Sequence, residues 1–415
     1  MSGFTVNEVK AREILDSRGR PTVEVDLLLS DSSFGRSSAP SGASVGVNEA
    51  IELRDGAKRY GGKGVLTAIN NVNTIIAGAI VNCSFADQNA FDSILISLDG
   101  TKNKSHLGAN ALLPVSIAFA KAVARANRAP LFKSIAQQCR FDCSQFVIPT
   151  PMLNILNGGK HGDNHLDIQE FMIIPTGGSK IEEKLCIASE VFYCLRDLLR
   201  ASGFSTNIGD EGGFAPNISS AECCLDLMCK AIANAGYTHH VKLALDVAAS
   251  TFYKGGEYHM RGVNKILNGE EMIQYYKNLI TKYPIISIED PLAENDIEGW
   301  RELTKILQND VMIVGDDIFV TNKIMLRDCV RQGIANAVLI KLNQVGTLTE
   351  TVETIKLAKQ HNYTYVISHR SGETEDTTIS HLAVATRAPY IKAGSICRTD
   401  RICKYNELIR IAELI

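Results

Sequence analysis

Six short apolar runs in the second half of the chain each end on a charged or titratable side chain. Leu243-Ala244-Leu245 gives way to Asp246, Ile285-Ile286-Ser287-Ile288 to Glu289, and Met312-Ile313-Val314-Gly315 to Asp316. Ala337-Val338-Leu339-Ile340 meets Lys341, Tyr365-Val366-Ile367-Ser368 meets His369-Arg370-Ser371, and Pro389-Tyr390-Ile391 meets Lys392. Asp246, Glu289 and Asp316 offer hard oxygen donors, which suit Mg²⁺ and suit zinc poorly. Brought together without a partner they would repel one another, so a cation among them lowers the energy. A partly desolvated lysine beside a divalent cation has its pKa pushed down and can act as a general base, a role open to either Lys341 or Lys392. The plainer role for each is to neutralise the acids. His369-Arg370-Ser371-Gly372 puts a guanidinium, a hydroxyl and backbone N–H groups together, a clamp for phosphate or carboxylate.

These residues need elements that converge. Strands buried on both faces read as continuous apolar runs, and in a β/α barrel their C-terminal ends meet at one mouth, where chemistry sits. Successive charged ends lie about 23 to 43 residues apart, a workable βα unit. The reading from these residues is therefore a Mg²⁺-dependent barrel enzyme that takes an anionic substrate.

Upstream, Thr5 to Leu29 reads as a β-hairpin, with Val23, Val25, Leu27 and Leu29 on one face and Asp16 to Pro21 as the turn. A strand near Phe34 to Ser38 leads into the small-residue loop Ala39 to Gly46, which could close over an anion or carry the Ser44 hydroxyl to a metal; most such loops are only connections. Apolar residues at helical spacing follow over 63–81, 86–98 and 108–127. Strands followed by helices predict an α+β domain over 1–140, and 141–151 reads as the linker into a barrel domain over 141–415. That domain opens with a strand from Pro151 ending in the polar loop Gly158 to His165, then Gln169-Glu170 at the start of another strand and the glycine-flanked pair Asp210-Glu211.

Bulk properties narrow the class. The chain has 415 residues, 45% hydrophobic and 21% charged, with a formal charge of −3, so it presents no basic face for nucleic acid. Neither a signal peptide nor an apolar stretch near the roughly 20 residues of a membrane span is expected. Eleven scattered cysteines, with Cys223, Cys224 and Cys229 outside any zinc spacing, read as reduced thiols.

Several stretches together resemble the enolases, of the bacterial type: Ala11 to Gly19, Gly209-Asp210-Glu211-Gly212-Gly213, Ser287-Ile288-Glu289-Asp290-Pro291, Gly315-Asp316-Asp317, Ser368 to Asp376 and Lys404 to Ile411. The resemblance covers nearly the whole chain. It implies a lid-like N-terminal α+β domain, a barrel whose first units are irregular, and reversible dehydration of 2-phospho-D-glycerate to phosphoenolpyruvate. By the same resemblance Asp246, Glu289 and Asp316 match ligands of one Mg²⁺, and Ser44 a ligand of a second that arrives with substrate. Lys341 matches the base, and Glu211 the acid that helps expel the hydroxyl, with Glu170 nearby. Lys392 matches a partner of the substrate carboxylate, Arg370 and Ser371 the phosphate clamp, and His161, Gln169 and His369 further pocket positions. It also implies a homodimer or octamer in the cytoplasm, with a secondary cell-surface or secreted pool as in related enolases. Departures from the family pattern are Val45 beside Ser44, Lys160 beside His161, the run Val247 to Thr251, Ala393 after Lys392 and the short C-terminus. The other readings are a relative acting on another carboxylate and a binding protein that keeps the fold without catalysis.

Overall fold

A computed structural model describes residues 3–42, 46, 48–56, 58–218 and 220–415. Ser44 and Val45 lie outside the described residues.

The hairpin pairs Phe4–Leu15 with Pro21–Leu29, and Phe34–Ser38 adds to its far edge. A two-residue strand, Ser84–Phe85, which the sequence reading missed, pairs with the start of the first strand and completes a four-stranded antiparallel sheet. Val23, Val25, Leu27 and Leu29 alternate inward against the helices, as period two requires. The first helical stretch is Leu66–Asn71, a π turn at Val72–Ile76, and Ala77–Ile80, one rod with a widened turn. Gln88–Asp99 and Ala109–Ala126 follow, the latter carrying Pro114, and a further helix, Leu131–Gln138, was not anticipated. Ala109–Ala126 is long and apolar enough to cross a membrane by length and composition alone, and no clear membrane span follows from it. Here it is a core helix, buried on almost every side between the sheet and the barrel.

The second domain is a closed eight-stranded barrel. Its first strand, Thr150–Asn157, runs into Glu170–Pro175 as an antiparallel pair, and the latter is again antiparallel to Val241–Asp246. From there every neighbour is parallel, through Ile285–Glu289, Met312–Gly315, Ala337–Ile340, Thr364–Ser368 and Tyr390–Lys392, which closes on the first strand. Two helices, Ile181–Ala201 and Ala221–Asn234, lie between the reversed strand and Val241–Asp246. The irregular first units are thus one reversed strand. A three-stranded sheet over residues 253–267 was also unanticipated.

Strand parity explains the mouth. Met152, Met172, Ala244, Val314, Leu339, Val366 and Tyr390 point into the barrel, while Val338, Ile340, Ile367 and Ile391 pack outward on the helices. Two residues beyond an inward apolar side chain, the next inward position is titratable: Asp246 after Ala244, Asp316 after Val314, Lys341 after Leu339, Lys392 after Tyr390. Because Glu170–Pro175 runs backwards, its N-terminal residue arrives at the same mouth, two positions from Met172.

The N-terminal domain is clamped to this mouth. Lys121 Nζ meets Asp376 Oδ2 at 2.7 Å, and Ser37 Oγ donates to the same oxygen at 2.7 Å. Ser41 and Gly372 exchange backbone hydrogen bonds of 2.8 Å each way. At Gly372 a Cβ would lie 2.4 Å from Asp16 Oδ2 and 2.5 Å from Arg18 Nη2, so any larger residue would have to displace them.

Candidate active site

One cavity at the barrel mouth is lined by His161, Gln169, Glu170, Glu211, Asp246, Asp316, Lys341, His369, Arg370, Ser371 and Lys392. All of these were singled out from the sequence. Glu289, in register with Asp246, does not line the cavity and lies behind Lys392. The sequence reading passed over Asp290 and Asp317, which also line it, although both stand in doubled-acid motifs, Glu289-Asp290 and Asp316-Asp317.

The lysines are seated among the acids. Lys392 Nζ donates to Asp246 Oδ2 and Glu289 Oε2, both at 2.8 Å, and lies 3.3 Å from Glu170 Oε2. Lys341 Nζ bonds Asp316 Oδ2, whose other oxygen accepts from Gln344 Nε2 at 3.0 Å. Burial pushes the Glu289 carboxyl well above its ordinary range, and Asp246 pushes it further. Burial opposes charge on Lys392 as well, but Asp246, Glu170 and Glu289 together hold its pKa well above the usual value. For Lys341 the same contest is won by Asp316, and its pKa is raised. The Asp316 carboxylate bonded to Lys341 Nζ favours the charged form of the lysine.

The opposite wall holds a second cluster. His161 Nδ1 lies 3.3 Å from Glu170 Oε1 and 3.5 Å from Glu211 Oε2, and His369 Nε2 lies 3.7 Å from the same Glu211 oxygen. Burial and the Glu211 charge raise Glu170 to about 7, whereas Glu211, despite burial, is held well below its ordinary range by His161 and His369. His161 is raised to about 9, the acids outweighing burial. The surroundings thus push the two carboxyl groups in opposite directions. The resemblance gives the acid's role to Glu211 with Glu170 nearby, and both carboxyl groups face His161 on this wall. Asn154 and Asn157, both fully buried, brace Glu211: Asn154 Nδ2 reaches Glu211 Oε2 at 3.3 Å, and Asn157 Nδ2 donates to Gly213 O at 2.8 Å.

Arg370 is gripped from the N-terminal domain. Its Nη1 donates to Glu49 Oε2 at 2.7 Å and to Asn343 Oδ1 at 3.0 Å. Glu49 Oε1 also takes Gly46 N at 3.0 Å, on the far side of the loop that bears Ser44. Neither Glu49 nor Asn343 carried a sequence signal, because their use depends on contacts between domains.

Could this mouth hold a metal? The donor set at Asp246, Glu289 and Asp316 is all carboxylate oxygen, and two ammonium groups already occupy the electrostatic positions among them. Ligand atoms of Asp290, Asp316 and Asp317 come within 4.8 Å of one another, as do those of His161, Glu170 and Glu211. Such oxygen-rich sites fit a hard divalent cation.

Fold and site together define a two-domain β/α-barrel enzyme whose titratable groups are collected at a mouth braced by the smaller domain. Residues 145–415 match the family model described as enolase, C-terminal TIM barrel domain, and residues 6–135 match enolase, N-terminal domain. The chain belongs to the enolase family, which makes it an enzyme of the lyase type.

Proposed function

We propose that the chain catalyses the reversible, Mg²⁺-dependent dehydration of 2-phospho-D-glycerate to phosphoenolpyruvate, as a bacterial-type enolase of glycolysis. One observation carries this reading. The strand bearing Lys341 and the strand bearing Glu170 are four places apart in the closed order of eight, hence on opposite walls. A base on one wall and acids on the other suit an elimination in which a proton leaves one face of the substrate and a hydroxyl the opposite face.

In this reading Lys341 Nζ takes the C2 proton, and Glu170 with Glu211 delivers a proton to the departing C3 hydroxyl. Lys392 and Gln169 hold the substrate carboxylate, while Arg370 and Ser371 take its phosphate, with His161 and His369 closing the pocket. Asp246, Glu289 and Asp316 would hold one Mg²⁺ and Ser44 a second. Bound Mg²⁺ supplies stabilisation of charge that develops on the substrate carboxylate. To act as the base, Lys341 Nζ must part from Asp316 Oδ2, to which it is now bonded. A cytoplasmic location and a homo-oligomeric state belong to the same proposal.

The test is direct: the purified chain is incubated with 2-phosphoglycerate and Mg²⁺, and phosphoenolpyruvate absorbance is followed. Turnover that stops on adding chelator supports the reading. A folded sample with saturating Mg²⁺ and no turnover overturns it.

A further inference from the structure

The C-terminal helix Thr399–Ala412 sends two fully buried cations inward, Arg401 and Lys404, and Arg401 lies behind the cavity-lining residues His369 to Ser371. Arg401 Nη1 contacts His369 Nδ1 and donates to Arg370 O at 2.7 Å, while Nη2 donates to Ser371 O at 2.5 Å and Asp210 O at 3.3 Å. A single guanidinium thus ties the anion-clamp loop to the loop that carries Glu211. The chain has made room for it. Gly394, at φ +82°, would with a Cβ stand 2.7 Å from Arg401 Cδ and 3.0 Å from Glu211 O. Ser395 N donates to Glu211 O at 2.9 Å, so the same loop fixes the acid's backbone.

We infer that Arg401 is a positioning residue that sets the tautomer of His369, keeping the ring proton on Nε2, toward Glu211. The reason is chemical. A guanidinium has five N–H donors and no acceptor, so the imidazole atom facing it must present a lone pair. A proton on Nδ1 would set N–H against N–H between two buried side chains. With Nδ1 bare, the hydrogen of the neutral ring is on Nε2, the nitrogen 3.7 Å from Glu211 Oε2. His369 then turns its N–H side, with no lone pair, toward the Glu211 carboxylate. Removing Arg401 frees the ring to adopt the other tautomer, with a lone pair against a carboxylate.

The tautomer needs no substrate, so it can be read whether or not the proposed reaction is correct; only the kinetic consequence rests on that reading. Histidine-selective ¹⁵N spectra of the full chain, with His369 assigned by loss of its signals in His369→Gln, give the protonation of each ring nitrogen. The expected result is Nε2–H with bare Nδ1 in the unaltered protein and a shift toward Nδ1–H in Arg401→Met. Protonated Nδ1 in the unaltered chain overturns the inference without any Arg401 variant. Folded Arg401→Met with the tautomer unchanged also overturns it. Arg401→Lys keeps a donor and is expected to retain Nε2–H; where 2-phosphoglycerate is turned over, it recovers part of a roughly tenfold or greater loss of kcat in Arg401→Met. Equal loss of Nε2–H in both variants counts against it.

Discussion

Glu49 and Arg370, 321 residues apart in sequence, form a buried ion pair that joins the N-terminal domain to the anion clamp, with Oε2 and Nη1 2.7 Å apart. Burial would weaken the charge on Arg370, but Glu49 opposes that and holds its pKa above the ordinary value. A phosphate entering the mouth would address the same guanidinium. Truncating one partner of a buried pair strands the other, at a cost of about 3–5 kcal/mol. Glu49→Ala is therefore expected to lower the thermal midpoint, and inorganic phosphate to recover part of the loss by replacing the missing anion. Calorimetric scans with and without phosphate check both points; equal phosphate effects on variant and parent would refute competition for Arg370.

Lys341 is the proposed base, yet its partner Asp316 keeps it charged. Lys341→Ala is expected to reduce phosphoenolpyruvate formation by roughly 10²–10⁴-fold or more, with the fold retained. Circular dichroism beside the absorbance assay separates lost chemistry from lost structure. A variant retaining most of the parent's turnover would remove Lys341 from the role.

Lys392 now neutralises Asp246 and Glu289. Lys392→Met leaves two buried carboxylates without their ammonium, so its thermal midpoint should fall in chelator. A divalent cation can supply the missing charge, so added Mg²⁺ should narrow the gap to the parent. Melting curves across a Mg²⁺ titration measure this, and a gap independent of Mg²⁺ would argue against a cation site beside these acids.

Asp92 offers a test of the domain contact. Its carboxylate accepts from Thr349 N at 2.9 Å and Thr349 Oγ1 at 2.6 Å, on a barrel helix, and from Gln88 Nε2 at 3.0 Å. Complete burial raises its pKa to about 6 from an ordinary 3.8. A folded pKa above the unfolded one favours folding below about 3.8, and that contribution is lost as pH rises through about 6, roughly 3 kcal/mol in all. Relative to Asp92→Asn, the parent should lose urea resistance between pH 4 and pH 7. Parallel denaturation curves at the two pH values would exclude the ionisation.

How much of this was legible beforehand follows from which forces act locally. The apolar runs before Asp246, Glu289, Asp316, Lys341 and Lys392 determined the strands and their charged ends, because strand parity is a local property. Helical spacing over 108–127 likewise located Ala109–Ala126 to within a residue at each end. Reversal of Glu170–Pro175 was not local: it depends on which neighbours its backbone finds, and it brings Glu170 to the mouth from a strand's beginning. Pairings such as Glu49 with Arg370 and Arg401 with His369 depend on folding across hundreds and tens of residues respectively, and no residue at either end marks the other. Sequence alone thus determined the chemical groups and the family they resemble. Tertiary structure decided which acids face which lysines and which cation faces which ring, since those contacts depend on how distant segments pack.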